Sequence, residues 1–383
     1  MRSRCSLLVA LVLVAAAPAH AQDLQKEARR FTLAYLTYFP KSTISVTVDS
    51  NGVSLAGPYQ VLSAVRTRPE DITDGKPIKD QLNILADPVT RQFIAGVVFP
   101  IKNDGAPVTP QTLPDFVENG LPPVLQKLFM SRTVVKWPGV PRRLTGVVPL
   151  IADVASGYGM MHLPIAVTAD GKYLAVGGIW PVDRDPRAVR RERLSGGPIE
   201  WDMNHEKAPL KLVEFSDYEC PACKRGWSDL KPVLADFGDK IHHGMVNFPL
   251  VTSHPWAFRA AVAGYCVYAL WPEKILDLKE DFYRFQDSLT VASLDDDVYG
   301  FLKQRDMDVT EFKGCYLKGD YLSDKPLNGV IKQVDLGYSL GVFATPTYFV
   351  NGEAISFAKK AVAEARLNAI LAAGGVPENA PEN

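Results

Sequence analysis

No charge of one sign dominates this chain. Its 42 Lys and Arg nearly cancel its 43 Asp and Glu, leaving a formal net charge of −1 at pH 7. A nucleic-acid binder draws on a basic surface, so nucleic acid is excluded as a main partner. Beyond the first residues, no apolar stretch is long enough to span a bilayer. Cysteine is scarce, at 5 in 383 residues. Only Cys220 and Cys223 lie close together, and a zinc site built on them would need a second ligand pair that the sequence lacks, so no metal is expected. His242 and His243 are adjacent on a strand and face opposite sides, which makes them a poor metal pair. Residues 22–185 contain no cysteine and one histidine, His162. That half has no candidate nucleophile and is assigned no chemistry. No cofactor is expected.

At the start of the chain, Met1–Ala21 reads as a secretory signal. Arg2 and Arg4 supply the positive end, Leu7–Ala17 the apolar core and Ala19-His20-Ala21 the small-residue cleavage site. The apolar core is too short for a mature membrane helix, and Cys5 precedes it, away from any lipid-attachment position. Removal of the leader leaves about 360 residues, enough for two or three domains. A hydrophobic share of 47% and a charged share of 22% belong to a globular chain with a sizeable core. The remaining cysteines, Cys220, Cys223, Cys266 and Cys315, are even in number, as fits disulfides in an exported protein.

Residues 22–185 read as an internal repeat, with copies at 22–105 and 106–185. Asp87–Pro100 and Thr168–Pro181 share a turn, a basic residue, an apolar strand with a glycine, and a closing aromatic-proline pair. Strand-like runs, Tyr59–Val65 and Gly146–Val154, precede them, and helix-like segments, Leu24–Tyr38 and Leu113–Met130, open each copy. A helix followed by an antiparallel sheet, twice over, is an α+β domain. Residues 186–205 read as a linker, because acids are interspersed among the arginines of Arg184–Leu194 and Gly196-Gly197-Pro198 follows.

The chemistry is concentrated in Leu210–Lys224, LKLVEFSDYECPACK. Leu210, Leu212, Val213 and Phe215 make a short apolar strand. Trp227, Leu230, Leu234 and Phe237 then recur at helical spacing. The turn between holds Cys220-Pro221-Ala222-Cys223. Cys220 would sit where unpaired N–H groups and the helix macrodipole favour a thiolate. Pro221 suits the first helical turn, and Cys223 lies one turn in, able to attack a mixed disulfide on Cys220. Downstream come Asn247-Phe248-Pro249-Leu250 with His254-Pro255, then Gly341–Gly352, which contains Ala344-Thr345-Pro346-Thr347 and an Asn351-Gly352 hairpin turn.

In order, these three segments resemble the periplasmic disulfide-bond (Dsb) family of thioredoxin-fold oxidoreductases, over roughly residues 208–375. The resemblance implies an α/β thioredoxin-like, DsbA-like domain over 206–375, with a helical insertion at about 255–340 and a disordered tail at 376–383. It implies that Pro346 is cis and, with Thr345, Pro221 and Ala222, docks an extended substrate strand opposite Cys220. It makes Glu214 a buried proton acceptor for Cys223, and Cys266 and Cys315 a structural disulfide where the residues alone leave two separate buried thiols open. Ala222 adds no charge beside the thiolate and Glu219 would raise the Cys220 pKa, so intermediate oxidising power is expected. His254 reads as a structural residue at a helix start. Hairpin Val167–Val182 is similar to the dimerisation domain of DsbC- and DsbG-like isomerases. This implies a homodimer through the N-terminal half, a surface holding substrate, or an internal pseudo-dimer. The expected protein is a periplasmic thiol–disulfide oxidoreductase, oxidase or isomerase/reductase. Its partners would be unfolded or misfolded exported proteins and a membrane redox protein that recycles the dithiol. The competing reading is a non-catalytic chaperone or assembly factor that uses the fold as a platform.

Overall fold

The computed structural model describes residues 17–48, 60–73, 76–88, 90–101, 112, 115–120, 133–136, 147–156, 159–168, 171–202, 205–251, 253–316 and 325–376. Residues 1–16 of the expected leader (1–21), residues 377–383 of the expected tail (376–383) and most of the expected second helix at 113–130 lie outside them.

Helix α1 (Ala17–Tyr35) is followed by strands β1 (Thr43–Val48), β2 (Gln60–Thr73), β3 (Lys76–Asp87) and β4 (Gln92–Pro100). Past a short π-helical turn at Phe116–Gly120 come β5 (Thr133–Lys136), β6 (Val147–Ser156), β7 (Gly159–Thr168) and β8 (Tyr173–Pro181). All eight strands form one sheet in the order β1-β2-β3-β4-β8-β7-β6-β5. The two runs of four therefore meet through β4 and β8, which pair antiparallel with Gly96 opposite Gly177. Each of these glycines holds the tenth position of its matching stretch, Asp87–Pro100 or Thr168–Pro181, so the pairing is symmetric about that point. A Cβ on Gly96 would lie 2.1 Å from the Val176 carbonyl oxygen, and one on Gly177 would lie 2.2 Å from that of Ala95. Only glycine fits where the two strands approach this closely. One face of the sheet is covered by Leu24, Ala28, Phe31 and Tyr35 of α1, packed on Leu62, Ala64, Ile84, Phe93 and Trp180. Burial of each large apolar side chain here stabilises by roughly 1.5–3 kcal/mol.

Arg184–Leu194, expected as a solvated linker, is corrected: from Pro186 onward it forms helix α2 (Pro186–Ser195). Asp185 caps it, accepting the Arg187 N–H, and Pro186 opens its first turn. Arg187 and Arg190 are buried: the Arg187 guanidinium pairs with the Asp185 carboxylate, and that of Arg190 is received by aromatic faces and the Tyr35 carbonyl oxygen.

The C-terminal part contains β9 (Glu200–Trp201), β10 (Leu210–Ser216), helix α3 (Pro221–Phe237) and β11 (Ile241–Asn247). Then come helices α4 (Ala257–Leu270), α5 (Ile275–Phe285), α6 (Leu294–Gln304), α7 (Val309–Tyr316) and α8 (Lys325–Ser339), then β12 (Thr347–Val350), β13 (Glu353–Ile355) and α9 (Lys360–Ala372). The sheet order is β13-β12-β10-β11-β9, with β10 parallel to β11 and antiparallel to β12. Every residue of β10 except Lys211 is buried, as a central strand covered on both faces requires. This is a thioredoxin-like βαβ–ββα frame with α4–α8 inserted. The insertion has its own core, in which Phe258, Phe282, Leu294, Phe301 and Phe312 are buried. Cys266 of α4 and Cys315 of α7 are joined as a disulfide, with Cα atoms 5.8 Å apart.

Candidate active site

β10 ends at Ser216, and a short turn places Cys220 as the N-cap of α3 in extended backbone (φ −72°, ψ 118°), with Pro221 just inside the helix. Both thiols are free. Cys220 is 5% exposed and Cys223 is fully buried. Across the cleft, the Thr345–Pro346 peptide bond is cis, and the Cys220 thiol lies 3.6 Å from the Thr345 carbonyl oxygen as donor. Gly226 of α3 permits the close fit, since a Cβ there would stand 2.9 Å from Pro346 Cγ and 2.4 Å from the Tyr348 hydroxyl.

The two sulfurs are electrostatically unlike. A hydrogen bond from Cys223, with further ones from the backbone N–H groups of Cys223 and Ala222, holds the Cys220 thiol at about 5 against burial. Burial first, and then the neighbouring Cys220, push the Cys223 thiol well up. Glu219 is turned away, its Oε2 accepting the Trp256 N–H at 2.7 Å at the entry to α4.

Glu214, on the strand that leads to the motif, sits in a buried charge network. Its Oε2 accepts from Lys279 Nζ at 2.6 Å and lies 3.2 Å from His243 Nε2. His243 Nδ1 in turn lies 2.7 Å from Asp202, and the Lys279 ammonium stands 4.0 Å over the Trp227 ring. Burial alone would raise the Glu214 pKa, but Lys279 and His243 outweigh it and hold the carboxyl at about 2. Burial would likewise lower His243, yet Asp202 and Glu214 keep it above its ordinary value. A carboxylate so neutralised is a weak base.

Sequence reading missed several residues around the cysteines. Asp217 organises the turn, accepting the Glu219 and Leu250 N–H groups at 2.8 Å each and pairing with His254 Nδ1 at 2.6 Å. Gln286 donates to the Tyr218 and Cys220 carbonyls at 2.8 and 3.2 Å, tying the turn to the insertion. Ser216 and Tyr283 share a buried hydroxyl–hydroxyl bond of 2.9 Å, and hydrogen bonding from Ser216 works against the rise of the Cys223 thiol. The Asp-x-Glu-Cys spacing before the motif hints at an Asp217 turn. The partners on α5 carry no local signal. Cys266–Cys315 lies apart from this site, between helices of the insertion.

A family model described as Thioredoxin matches residues 203–372. Disulfide bond formation protein D of Bacillus subtilis (strain 168) is 31% identical over 166 residues, which cover 42% of this chain and 71% of that protein. The chain belongs to the Dsb family of thioredoxin-fold proteins. This Dsb-family chain also matches Na(+)/H(+) antiporter NhaA 1 of Mycolicibacterium vanbaalenii, at 33% identity over 159 residues, 40% of this chain and 24% of that protein. It thus spans about a quarter of the length of such antiporters. Among solved structures, the thiol-disulfide exchange protein alpha-DsbA2 from Wolbachia pipientis aligns with a TM-score of 0.40 at 20% identity, covering 49% of this chain and 98% of that one. BdbD from Bacillus subtilis aligns with a TM-score of 0.38 at 23% identity, covering 46% and 93%. Among the described residues, no helix is long and apolar enough to cross a membrane.

Proposed function

We propose that the protein is an exported thiol–disulfide oxidoreductase acting on cysteines of periplasmic proteins. The observation that carries this reading is the split between two neighbouring sulfurs: Cys220 held at about 5 and Cys223 pushed well up. In the reductive direction the Cys220 thiolate attacks a substrate disulfide and expels one substrate thiol. Cys223 then attacks Cys220 Sγ, forming the Cys220–Cys223 disulfide and releasing the second. Two electrons pass to the substrate, and the Cys223 proton leaves with the departing sulfur. In the oxidative direction a substrate thiolate attacks Cys220 Sγ of the disulfide and Cys223 leaves; a second substrate thiolate then attacks the substrate sulfur of the mixed disulfide, forming the substrate disulfide and releasing the Cys220 thiolate. A thiolate this stable makes the reduced form stable, and so favours oxidising client thiols. A membrane redox partner would then recycle the dithiol.

Thr345 and Pro346, flanked by Pro221 and Ala222, form the docking edge for an extended peptide in this reading. The proton-acceptor role expected for Glu214 is recast, because Lys279 and His243 keep it ionised. Glu214 acts as the fixed counter-charge that holds Lys279 and His243. The N-terminal sheet takes the place of a homodimer, its symmetric β4–β8 pairing being internal. The redox potential, read together with the in-cell redox state of Cys220–Cys223, tests the direction. A pair found mainly reduced removes the oxidase reading and leaves the isomerase/reductase. Cys220→Ser tests the class: loss of turnover is expected, and a protein whose entire activity survives as client holding is a chaperone.

A further inference from the structure

The arginines of α2 reach into both halves of the molecule. Arg190 is 2% exposed. Its guanidinium lies 4.7 Å from the Tyr35 ring centre, 5.5 Å from that of Trp180 and 4.6 Å from that of Phe349. It donates to the Tyr35 carbonyl at 2.7 Å. Tyr35 and Trp180 belong to the sheet domain, and Phe349 lies in β12 just beyond Pro346. Arg193 donates to the Ile179 carbonyl of β8 at 2.9 Å and also to the Ser339 carbonyl at the end of α8. Arg191 donates to the Asn351 carbonyl at 3.1 Å, and the Tyr38 N–H donates to the Ala354 carbonyl of β13 at 2.7 Å.

Tyr35 packs against Gly341. A Cβ on Gly341 would stand 2.0 Å from its hydroxyl, and Gly341 has φ +78°, so the residue that opens the cis-proline loop is glycine on two counts. The segment carrying Pro346 is therefore gripped at its entry, Ser339–Gly341, and at its exit, Phe349–Ala354. Between these points Phe343 is 39% exposed. Burying a guanidinium without a carboxylate at contact is costly. Here burial lowers the Arg190 pKa to about 10, with aromatic faces and carbonyl oxygens offsetting the desolvation.

We propose that the N-terminal sheet domain is a fixed brace for the peptide-docking loop, with Tyr35, Arg190 and Arg193 as positioning residues that hold both ends of Gly341–Pro346. The inference rests on the reading that Thr345–Pro346 docks a peptide. The loop's ability to receive an extended cysteine peptide thus depends on a domain with no chemistry of its own. Its reaction with a disulfide too small to touch the loop does not.

The test compares full-length Arg193→Gln, Arg193→Lys and Arg190→Met with the unmodified protein. Each is reacted in reduced form with a cysteine-containing peptide disulfide and with 5,5′-dithiobis(2-nitrobenzoate). For Arg193→Gln, the peptide concentration that gives half the maximal single-turnover rate should rise about 10-fold while the maximal rate stays nearly constant, the mark of lost ground-state binding. The small-disulfide rate should stay within about twofold, and Arg193→Lys should recover part of the loss. Amide hydrogen exchange should quicken over Gly341–Thr347 and stay unchanged in α3. Should Arg190→Met not fold, the two Arg193 variants decide the matter. Equal changes in both reactions, or no change in a folded Arg193→Gln protein, overturn the brace. An unmodified protein that exchanges with neither disulfide overturns the functional reading, and the brace with it.

Discussion

At the scale of single residues, the site works by contrast in environment between chemically identical groups. Cys220 is depressed, so the stabilisation its thiolate gives the reduced form is fully present above the ordinary thiol value. It is lost as pH falls through about 5. The Tm of the reduced protein should therefore fall relative to that of the oxidised protein as pH drops from the ordinary thiol value to about 5, which parallel thermal scans would show. Glu214 follows the same sign, its contribution being lost as pH falls through about 2. His243 runs the opposite way: its contribution is present below the ordinary imidazole value and lost as pH rises through its raised one. Glu214→Gln would leave Lys279 and His243 buried without their counter-ion. It should cost about 3–5 kcal/mol in urea unfolding. A change below about 1 kcal/mol would mean that the network is not held as described. Cys220 and Cys223 could be picked out from the chain because their chemistry travels with spacing, and Thr345 and Pro346 through the resemblance to the Dsb family. The partners of Glu214 could not, since Lys279 and His243 come from different elements with no local pattern binding them to it.

Among elements, β4 and β8 were legible as matching hairpins. That they pair with one another is a property of the assembled sheet. Gly177→Ala places a methyl against the Ala95 carbonyl oxygen at 2.2 Å and should destabilise by about 1–3 kcal/mol, measured by denaturant unfolding. A neutral result would mean that the two strands can part. Removing the Cys266–Cys315 bridge reopens a sequence separation of 49. In the chain-entropy model this costs about 4 kcal/mol, so Cys266→Ala/Cys315→Ala should unfold at a markedly lower Tm than the parent. Helix α2 is the element least legible in advance. Its run of arginines with interspersed acids has the pattern of a solvated face, and only the fold supplies Tyr35, Trp180 and Phe349 as receiving surfaces.

For the molecule as a whole, the thioredoxin-like frame was readable because strand, CxxC turn, insertion and cis-proline loop come in a fixed order. The N-terminal half was readable only as an α+β duplication, since nothing in its residues states where it docks. With the β4–β8 seam closed inside one chain, sedimentation at micromolar concentration should give a monomer. A stable dimer would show that a second surface exists. The acidity of one sulfur, that of Cys220, is the claim on which the proposed chemistry stands. The direct measurement is iodoacetamide labelling of the reduced full-length protein as a function of pH, with each cysteine read out by peptide mapping. Cys220 should react first, with an inflection near 5, while Cys223 stays protected. Labelling that begins at Cys223, or a Cys220 inflection at the ordinary thiol value of about 8.5, would contradict the account.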